Sequence, residues 1–217
     1  MRSGKEARMS SQSELLSDRG AVTERLLLRE FSHRINDELA SVIRLISVAA
    51  SRCESDQVRG ALAEAQDRLQ GYAGIQRSLQ MPEYSTAVDL AAYLQQLCRA
   101  ISGSRLAGDG IELSLSVCPL RMNSERCRLL GVIVFELIVN ASLHAFPDNG
   151  GSIRLDIWPV AGSIECRITD NGTSGEDPLP VRLVSIIEAL AGGLQRAVDF
   201  QCGPNGNSII VKFPAGA

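Results

Sequence analysis

Apolar side chains recur at alternating three- and four-residue steps early in the chain, at Leu28, Phe31, Ile35, Leu39, Val42, Ile46 and Ala49. This spacing is typical of an amphipathic helix with one buried stripe, and it predicts a helix from about Val22 to Arg52. A short polar turn, Cys53–Gln57, and a second helix, Val58–Leu79, follow. The two faces of this hairpin cannot cover each other fully, so the pattern predicts a homodimer with a four-helix bundle.

The rest of the chain mixes helical and strand patterns. We expect helices at Val88–Ile101 (ended by Ser102-Gly103), from an N-cap at Ser124 to about Phe146, and at Val181–Leu190 (ending at Gly192-Gly193). Alternation predicts strands at Ile111–Val117, Ile153–Trp158, Ile164–Thr169, Ala197–Gln201 and Ser208–Phe213, the last two paired across a turn. The predicted fold class is therefore α+β: a helical hairpin, then an α/β sandwich with one mixed sheet.

Composition divides the chain further and excludes several functions. Residues 1–20 are polar and predicted to be a disordered tail, 21–82 the hairpin and 83–217 the sheet domain, with Met81–Thr86 as the linker. The net charge of −3 and the lack of a basic stripe argue against nucleic acid as a partner. Six cysteines without CxxC spacing and two histidines argue against zinc. No signal peptide or membrane-length apolar run is present, which predicts a cytoplasmic protein without membrane insertion.

His33 lies on the polar side of the first predicted helix. At about 100° per residue it projects roughly 160° from the centre of the apolar stripe, so it faces solvent. Glu30 and Asp37 lie one turn away on the same helix. A carboxylate can keep one ring nitrogen protonated and leave the other free as a nucleophile. The same position also suits a surface histidine without a function, and the helix geometry leaves both interpretations open.

A second polar group interrupts the very apolar helix after Ser124. Glu136, Asn140 and His144 recur at four-residue steps and therefore share one face. A nucleotide site fits them: Glu136 can position water or act as a base, Asn140 can offer an oxygen to Mg²⁺, and His144 can contact phosphate. An ordinary polar surface stripe fits the same spacing equally well.

A strand that ends in Asp170-Asn171-Gly172 follows this helix in chain order. A carboxylate at such a strand end can accept a hydrogen bond from an adenine amino group, and Gly172 would let the backbone approach the base. Asp-x-Gly turns are common by themselves. The position of this turn, after the helix that carries Glu136, Asn140 and His144, favours a nucleotide site over an isolated turn.

Taken together, these motifs resemble the HWE-type and related HisKA-type sensor histidine kinases of bacterial two-component systems, from about Arg25 to Pro214. The segment Glu30–Leu39 is similar to the phosphoacceptor box, with His33 on the phosphorylated histidine. The segment Val88–Leu94 resembles the helix that leads into the ATPase-like domain. Phe135–Pro147 matches the N box, and Thr169–Gly172 the first glycine box.

The resemblance implies a phosphoacceptor hairpin that dimerises, followed by an ATPase-like domain of the GHKL (Bergerat) type. It implies that Asn140, His144, Asp170 and Gly172 bind ATP, that Asn140 meets Mg²⁺, and that response-regulator receiver domains are the partners. Glu136 and the acidic neighbours of His33, Glu30 and Asp37, would assist phosphoryl transfer.

The chain departs from the family pattern where the phosphates would be enclosed. Pro178 and Pro180 stand where glycines are expected before Arg182-Leu183-Val184, and the lid segment Thr173–Asp177 is short, with its second glycine displaced to Gly175. Proline has no N–H to donate to a phosphate and a fixed φ. Asp37 and Glu38 also replace amides of the phosphoacceptor box.

Three functions are compatible with this pattern. The prolines favour a histidine phosphotransferase that exchanges phosphoryl between His33 and receiver-domain aspartates without ATP. The complete N box favours an ATP-dependent autokinase that phosphorylates His33. A dimeric scaffold that docks receiver domains needs neither site, but leaves the His33 box unexplained.

Overall fold

The computed structural model describes residues 27, 30–80, 87–147, 150–173, 179–194, 198–203 and 206–215. Helix α1 covers 30–52 and α2 covers Asp56–Ser78, joined by three non-helical residues, which confirms the two predicted helices and the short turn between them. The predicted tail 1–20 and the linker Met81–Thr86 lie outside the described residues. The chain divides into two compact units, the first ending at Leu62 and the second beginning at Ala63.

In the first unit no residue within the described range is buried. The predicted stripe on α1 is divided: Leu39 and Ile46 are half-buried, whereas Phe31, Ile35 and Val42 are exposed. Exposed large apolar residues here are Leu27, Phe31, Ile35, Val42, Leu45, Val48 and Val58. The predicted stripe is thus only partly covered in a single chain, which leaves much of this apolar surface in water. The homodimer stays a prediction.

The second unit includes the C-terminal part of α2. Ile75 is 1% exposed and belongs to the core of this unit. A Cβ on Gly71 would overlap Ser104, so the two backbones approach as closely as glycine allows. The Arg105 guanidinium donates to the Tyr72 hydroxyl at 2.6 Å and stacks on that ring at 5.0 Å. These contacts fix residues 71–75 to the segment after the third helix.

The remaining elements form a two-stranded and a five-stranded sheet with three helices. They are β1 Val88–Asp89, α3 Leu90–Ile101, β2 Ile111–Val117, β3 Arg121–Met122, α4 Ser124–His144, β4 Gly151–Val160, β5 Ser163–Asp170, α5 Val181–Gly193, β6 Val198–Gly203 and β7 Gly206–Pro214. Strand β1 pairs with β3, and the larger sheet has the order β2-β4-β5-β7-β6. Its β2–β4 pair is parallel and the others antiparallel, so the predicted mixed sheet is confirmed.

One face of the larger sheet is apolar and buried, because side chains alternate along each strand. Ile153, Leu155 and Ile157 on β4 point to the same side as Ile164, Cys166 and Ile168 on β5. They share one core with buried residues of α3, α4 and α5. On the other side, the buried Glu165 carboxylate accepts from Arg167 at 2.8 Å and pairs with Lys212 at 3.2 Å. The predicted sandwich is confirmed.

Several predicted element boundaries differ from the structure, and four of the differences have a visible cause. Val88 and Asp89 pair with β3 instead of starting α3, and the Asp89 side chain caps that helix through Ala92 N–H. Asn123, not Ser124, is the N-cap of α4, because its side chain accepts from Glu125 N–H. The chain continues past Ile101 as a π-helical turn, Ser102–Leu106, and does not stop at Ser102-Gly103. Helix α5 runs through Gly192-Gly193, where Gly193 packs beside Leu129.

Helix α4 is long and apolar enough to cross a membrane by composition. Its apolar positions are accounted for by the domain core, since Leu130, Ile133, Val134, Leu137 and Ile138 are nearly or completely buried. Among the described helices it is the one with this character. A core helix of this kind passes the same test, so its hydropathy reflects its place in the fold.

Candidate functional site

His33 is exposed near the start of the described part of α1, as the helix geometry predicts. Glu30 and Asp37 are exposed on the same helix. The Glu30 carboxylate accepts from Arg34 Nε at 3.2 Å, an i,i+4 pair whose partners are both in solvent. Neither Glu30 nor Asp37 hydrogen-bonds the imidazole. The Glu30–Arg34 pair was missed by the sequence interpretation, although its spacing is the usual one for helix ion pairs.

Glu136, Asn140 and His144 lie along one side of α4, beside the buried positions of that helix. Glu136 and Asn140 are half-buried, and His144 is exposed. Within the described ranges these three side chains make no hydrogen bond or ion pair with another residue. The polar stripe therefore lies at the edge of the core, where its groups remain available to a ligand or to water.

The turn after β5 packs on the C-terminal end of α4. Gly172 is buried, and a Cβ at this position would overlap the Ala145 carbonyl oxygen. Gly151 approaches the Phe146 ring equally closely. The structure thus brings the end of the predicted N box and the predicted glycine box together. The glycine at 172 is required there for backbone packing.

The Asp170 carboxylate is half-buried and hydrogen-bonded through both oxygens. Oδ1 accepts from Gly172 N–H at 3.1 Å and from Asn207 N–H at 3.3 Å, and Oδ2 accepts from Asn207 Nδ2 at 3.1 Å. Gly206, at a φ of +113°, places its α-carbon against the Asp170 carbonyl oxygen, where a Cβ would overlap it. The first residues of β7 therefore contact both the backbone and the side chain of Asp170.

Asn207 is absent from the residues that sequence reasoning selected. The antiparallel pairing of β5 with β7 places Asn207 beside Asp170, because Thr169 lies opposite Ser208 in that pairing. The β5–β7 pairing could not be read from the sequence, because the pattern near the end of the chain predicted a pairing only for the last two strands.

Helix α5 begins after Pro180, which is its N-cap and makes no side-chain cap. The Pro180 carbonyl accepts from Val184 N–H at 3.1 Å, and Val181 is 82% exposed. Gly175 and Pro178 lie outside the described residues, as does most of the predicted lid. Pro180 supplies no N–H, so it cannot donate to a phosphate at this helix start.

The side chains in the described ranges offer no preformed metal cage, since no three His, Cys, Asp or Glu residues converge. A magnesium ion held mainly by nucleotide phosphates needs little from the protein, and the Asn140 amide oxygen suits that need. The donor set around Asn140 therefore fits Mg²⁺ bound through a nucleotide. The Asp170 carboxylate accepts three hydrogen bonds, only one of them on Oδ2, and so keeps an acceptor site for one further donor.

Comparison with known proteins identifies relatives of both parts of the chain. Residues 30–105 match the family HisKA_2, described as histidine kinase. The chain is 26% identical over 219 residues to the sensor histidine kinase PdtaS of Mycolicibacterium smegmatis, and 25% identical over 210 residues to PdtaS of Mycobacterium tuberculosis. The alignments cover 92% of this chain but 42% and 41% of those proteins, so the chain spans less than half the length of these relatives.

Solved structures share the fold. The histidine kinase domain of the blue-light activated histidine kinase from Erythrobacter litoralis EL346 matches with a TM-score of 0.55 and 18% identity, over 81% of this chain and 96% of that chain. A bacterial phosphotransferase matches with the same TM-score and 12% identity, over 81% and 88%. Both likenesses concern the fold alone. The resemblance to histidine kinases of two-component signalling rests on the HisKA_2 match over residues 30–105 and on the PdtaS relatives, and the solved structures add the shared fold.

Proposed function

We propose that this chain is a histidine phosphotransferase that works as a cytoplasmic homodimer. In this proposal His33 accepts a phosphoryl group from the aspartyl phosphate of a response-regulator receiver domain and returns it to an aspartate of another. Two features support it: the exposed imidazole at His33 and the family match that includes this helix. A receiver domain can approach an exposed side chain on a helix surface without any rearrangement of the core.

The reaction needs little covalent chemistry from the protein. A ring nitrogen of neutral His33 attacks phosphorus, the bond between phosphorus and the aspartyl oxygen breaks, and the carboxylate leaves with the electron pair. A phosphohistidine and a free aspartate result, and the proton on the other ring nitrogen remains in place. Positioning and charge neutralisation dominate such transfers. We assign Asp37 the role of orienting the imidazole, and Arg34, already held by Glu30, that of a nearby positive charge.

Pro180 at the start of α5 is the observation that favours the phosphotransferase over the autokinase. An ATP-dependent transfer requires the triphosphate to be held in line with its acceptor, and helix N-termini with free N–H groups usually provide that grip. The N-cap of this helix, Pro180, has no N–H, so it adds no donor to those of the first helical turn. Transfer from an acyl phosphate on a receiver domain does not need this grip.

An ATP-dependent autokinase is the second candidate, and the polar face of α4 favours it. Glu136 and Asn140 are half-buried, unengaged by other described residues, and lie on the helix whose end meets Gly172. In this alternative Glu136 would act as the base, Asn140 would hold Mg²⁺ through the nucleotide, and His144 would contact phosphate.

One experiment separates the candidates. Purified chain is incubated either with γ-labelled ATP and Mg²⁺ or with receiver domains charged by labelled acetyl phosphate, and acid-labile label on the chain is counted. The proposal predicts label from the receiver domains only, lost completely in His33→Ala and retained in His144→Ala, the other histidine variant of this chain. Label from ATP that depends on His33 would instead establish the autokinase. Label in neither arm would leave the docking scaffold.

A further inference from the structure

We propose that the open edge of strand β2 is an interface for a second copy of this chain, which adds its own β2 in antiparallel orientation. The contact is isologous and extends the sheet across a two-fold axis at Ser114. It goes beyond the proposed function, because it is separate from the helical dimer and needs neither His33 nor a nucleotide.

Strand β2 forms one edge of the five-stranded sheet, since β4 is its neighbour on one side and no described strand pairs with it on the other. At the two ends of the β2–β4 ladder, Gly110 O accepts from Gly151 N–H at 3.4 Å and Cys118 N–H donates to Ile157 O at 3.0 Å. The ladder therefore uses even-numbered residues of this segment, and the direction of the backbone groups alternates along a strand. The N–H and C=O groups of the odd-numbered residues in 111–117 point away from β4, toward the open edge.

The sequence of β2 carries none of the usual protections of an edge strand. The strand has seven residues, contains no proline or lysine, and keeps a continuous register with β4 without a bulge. Natural sheets usually blunt an exposed edge with one of these features. The opposite edge, β6, has six residues and carries the exposed Asp199 on its outer face, paired with Gln201. Of the two edges, β2 is therefore the one that favours a further strand.

The inner face of β2 is apolar and incompletely covered. Leu113, Leu115 and Val117 pack on the core of the sheet unit but are only half-buried, so part of each side chain remains in water beside the open edge. A neighbouring strand with apolar residues on the same face covers them.

The strand is complementary to itself when Ser114 lies opposite Ser114 of the second copy. In this antiparallel register Leu113 is opposite Leu115, and Ile111 is opposite Val117, so apolar residues are opposed on the inner face. These are also the residues whose backbone groups point outward, so each opposed pair forms hydrogen bonds in both directions. A second copy therefore supplies both the backbone partners and the apolar cover.

The outer face and the residues after the strand favour the same register. The exposed Glu112 is opposite the exposed Ser116, so no like charges face each other. A register centred on Leu115 instead places Ile111 opposite Pro119, which has no N–H to donate. The former register keeps the whole strand paired.

The test introduces charges at the two-fold axis of the full chain. Ser114→Lys and Ser114→Glu each place like charges opposite each other, on a side chain that is exposed in a single chain. Sedimentation velocity over a concentration series should show a dissociation constant for this contact raised roughly fivefold or more in either variant. An equimolar mixture pairs lysine with glutamate and should restore the association of the wild type. Rescue by mixing is a signature that a defect in folding does not produce.

Cross-linking tests the register. Directly opposite residues of a non-hydrogen-bonded antiparallel pair have Cα atoms about 4.5 Å apart, within the range of a disulfide. Ser114→Cys should therefore link two chains through residue 114 under mild oxidation, as identified by mass spectrometry of the joined peptides. Ser116→Cys is the matched control, because residue 116 of the second copy lies opposite Glu112, about 13 Å away along the strand. It should form no link between the two residues 116.

Gln201→Lys places the same charge on the outer face of β6, at the opposite edge, and should leave the assembly at its wild-type mass. Circular dichroism melting verifies that each variant is folded. The inference is overturned if the wild type and both charge variants at Ser114 have the same mass at every concentration, or if the mixture behaves like either variant alone. A strand of a different protein on this edge gives the first of these outcomes, and it overturns the assignment to a second copy.

If the charge variants at Ser114 do not fold, the cross-link decides, and a folded Ser114→Cys that forms no link through residue 114 counts against the interface. The helical dimer is changed by variants on α1 and not by these, and phosphoryl acceptance by His33 is a separate measurement. Failure of this inference and failure of the proposed function therefore stay distinguishable.

Discussion

The helical unit up to Leu62 and the sheet unit from Ala63 onward bury their side chains to very different degrees. Leu45 on α1 is 68% exposed, and no described residue of the first unit is buried. On α4, Leu130 and Ile133 are 0% exposed within a core shared by three helices and a sheet. The sheet unit buries most of its apolar side chains in its own core, whereas the helical unit leaves many of its apolar side chains in water.

The difference shows which residues are free to do chemistry. His33 is accessible because its helix packs few side chains in a single chain. Asp170 and Gly172 have the residue types of a ligand site, yet in this structure they hold a strand and a helix end in place. Residue types that suggest nucleotide binding can therefore be required by packing alone, and their presence does not establish the activity.

Adding charge to the exposed face of α1 should have the largest effect of the changes described here, because it acts on the apolar surface that distinguishes the helical unit from the sheet unit. Leu45→Lys places an ammonium where we propose that a second copy packs. Burial of one leucine contributes about 1.5–3 kcal/mol and a symmetric dimer loses two, so the dimer should weaken about a hundredfold or more. Sedimentation velocity across a concentration series measures it. Leu143→Lys, on a leucine that is 63% exposed in the sheet unit, is the matched control and should leave the assembly unchanged. If both variants weakened the dimer equally, or if neither did, the exposed face of α1 would not be the dimer interface.

Gly172→Ala should destabilise the sheet unit by about 2–3 kcal/mol, because the added methyl group overlaps the Ala145 carbonyl oxygen and the backbone must shift. Thermal unfolding followed by circular dichroism would report a fall in Tm of roughly 2–4 °C per kcal/mol. Phosphoryl acceptance at 20 °C, below the transition, should persist if His33 acts independently of this turn. A folded variant with unchanged Tm would mean that the turn does not pack as described.

The buried thiols should make the stability of the sheet unit fall at high pH. Burial raises the pKa of Cys98 to about 12 and that of Cys127 to about 11, and it also raises the pKa of Cys166. The pKa of a thiol in the unfolded chain is about 8.5. The stability that these buried thiols contribute is therefore fully present below that pH and is lost as the pH rises toward 11 to 12. Urea titrations from pH 7 to 10 measure the loss. At pH 8, iodoacetamide should modify the half-exposed Cys53 well before the three buried thiols. Rapid labelling of Cys166 in native protein would contradict the burial.

The smallest expected changes in stability come from alanine substitutions at two glycines of α2. Gly60 and Gly74 each have open space where a Cβ would be, so alanine should favour the helix by about 0.8–1 kcal/mol at either position. Gly74 lies within the sheet unit, so Gly74→Ala should raise its Tm by a few degrees. Gly60 lies in the first unit, and Gly60→Ala should leave that transition in place. A shared shift would show that α2 unfolds as one piece with the sheet.

Periodicity predicted the hairpin, the strands and the mixed sheet because each element carries its own pattern. Ile111–Val117 is confirmed at both ends. Boundaries shifted where tertiary contacts decided, as at Gly193, which stays helical beside Leu129. The contact of Asn207 with Asp170 depends on the β5–β7 pairing, which links residues 37 positions apart. Local sequence carries no signal for a contact set by strand order.

The close approach of Gly71 to Ser104 has a consequence for recombining this chain with others. A chimaera that joins a foreign helical hairpin to this sheet unit at residue 83 would replace Gly71, Tyr72 and Ile75 while retaining the Ser104 and Arg105 that fit them. A larger residue at position 71 would be excluded by sterics alone. The exchangeable module therefore begins at about Ala63, inside a continuous helix, and crossovers placed there keep the matched pairs together.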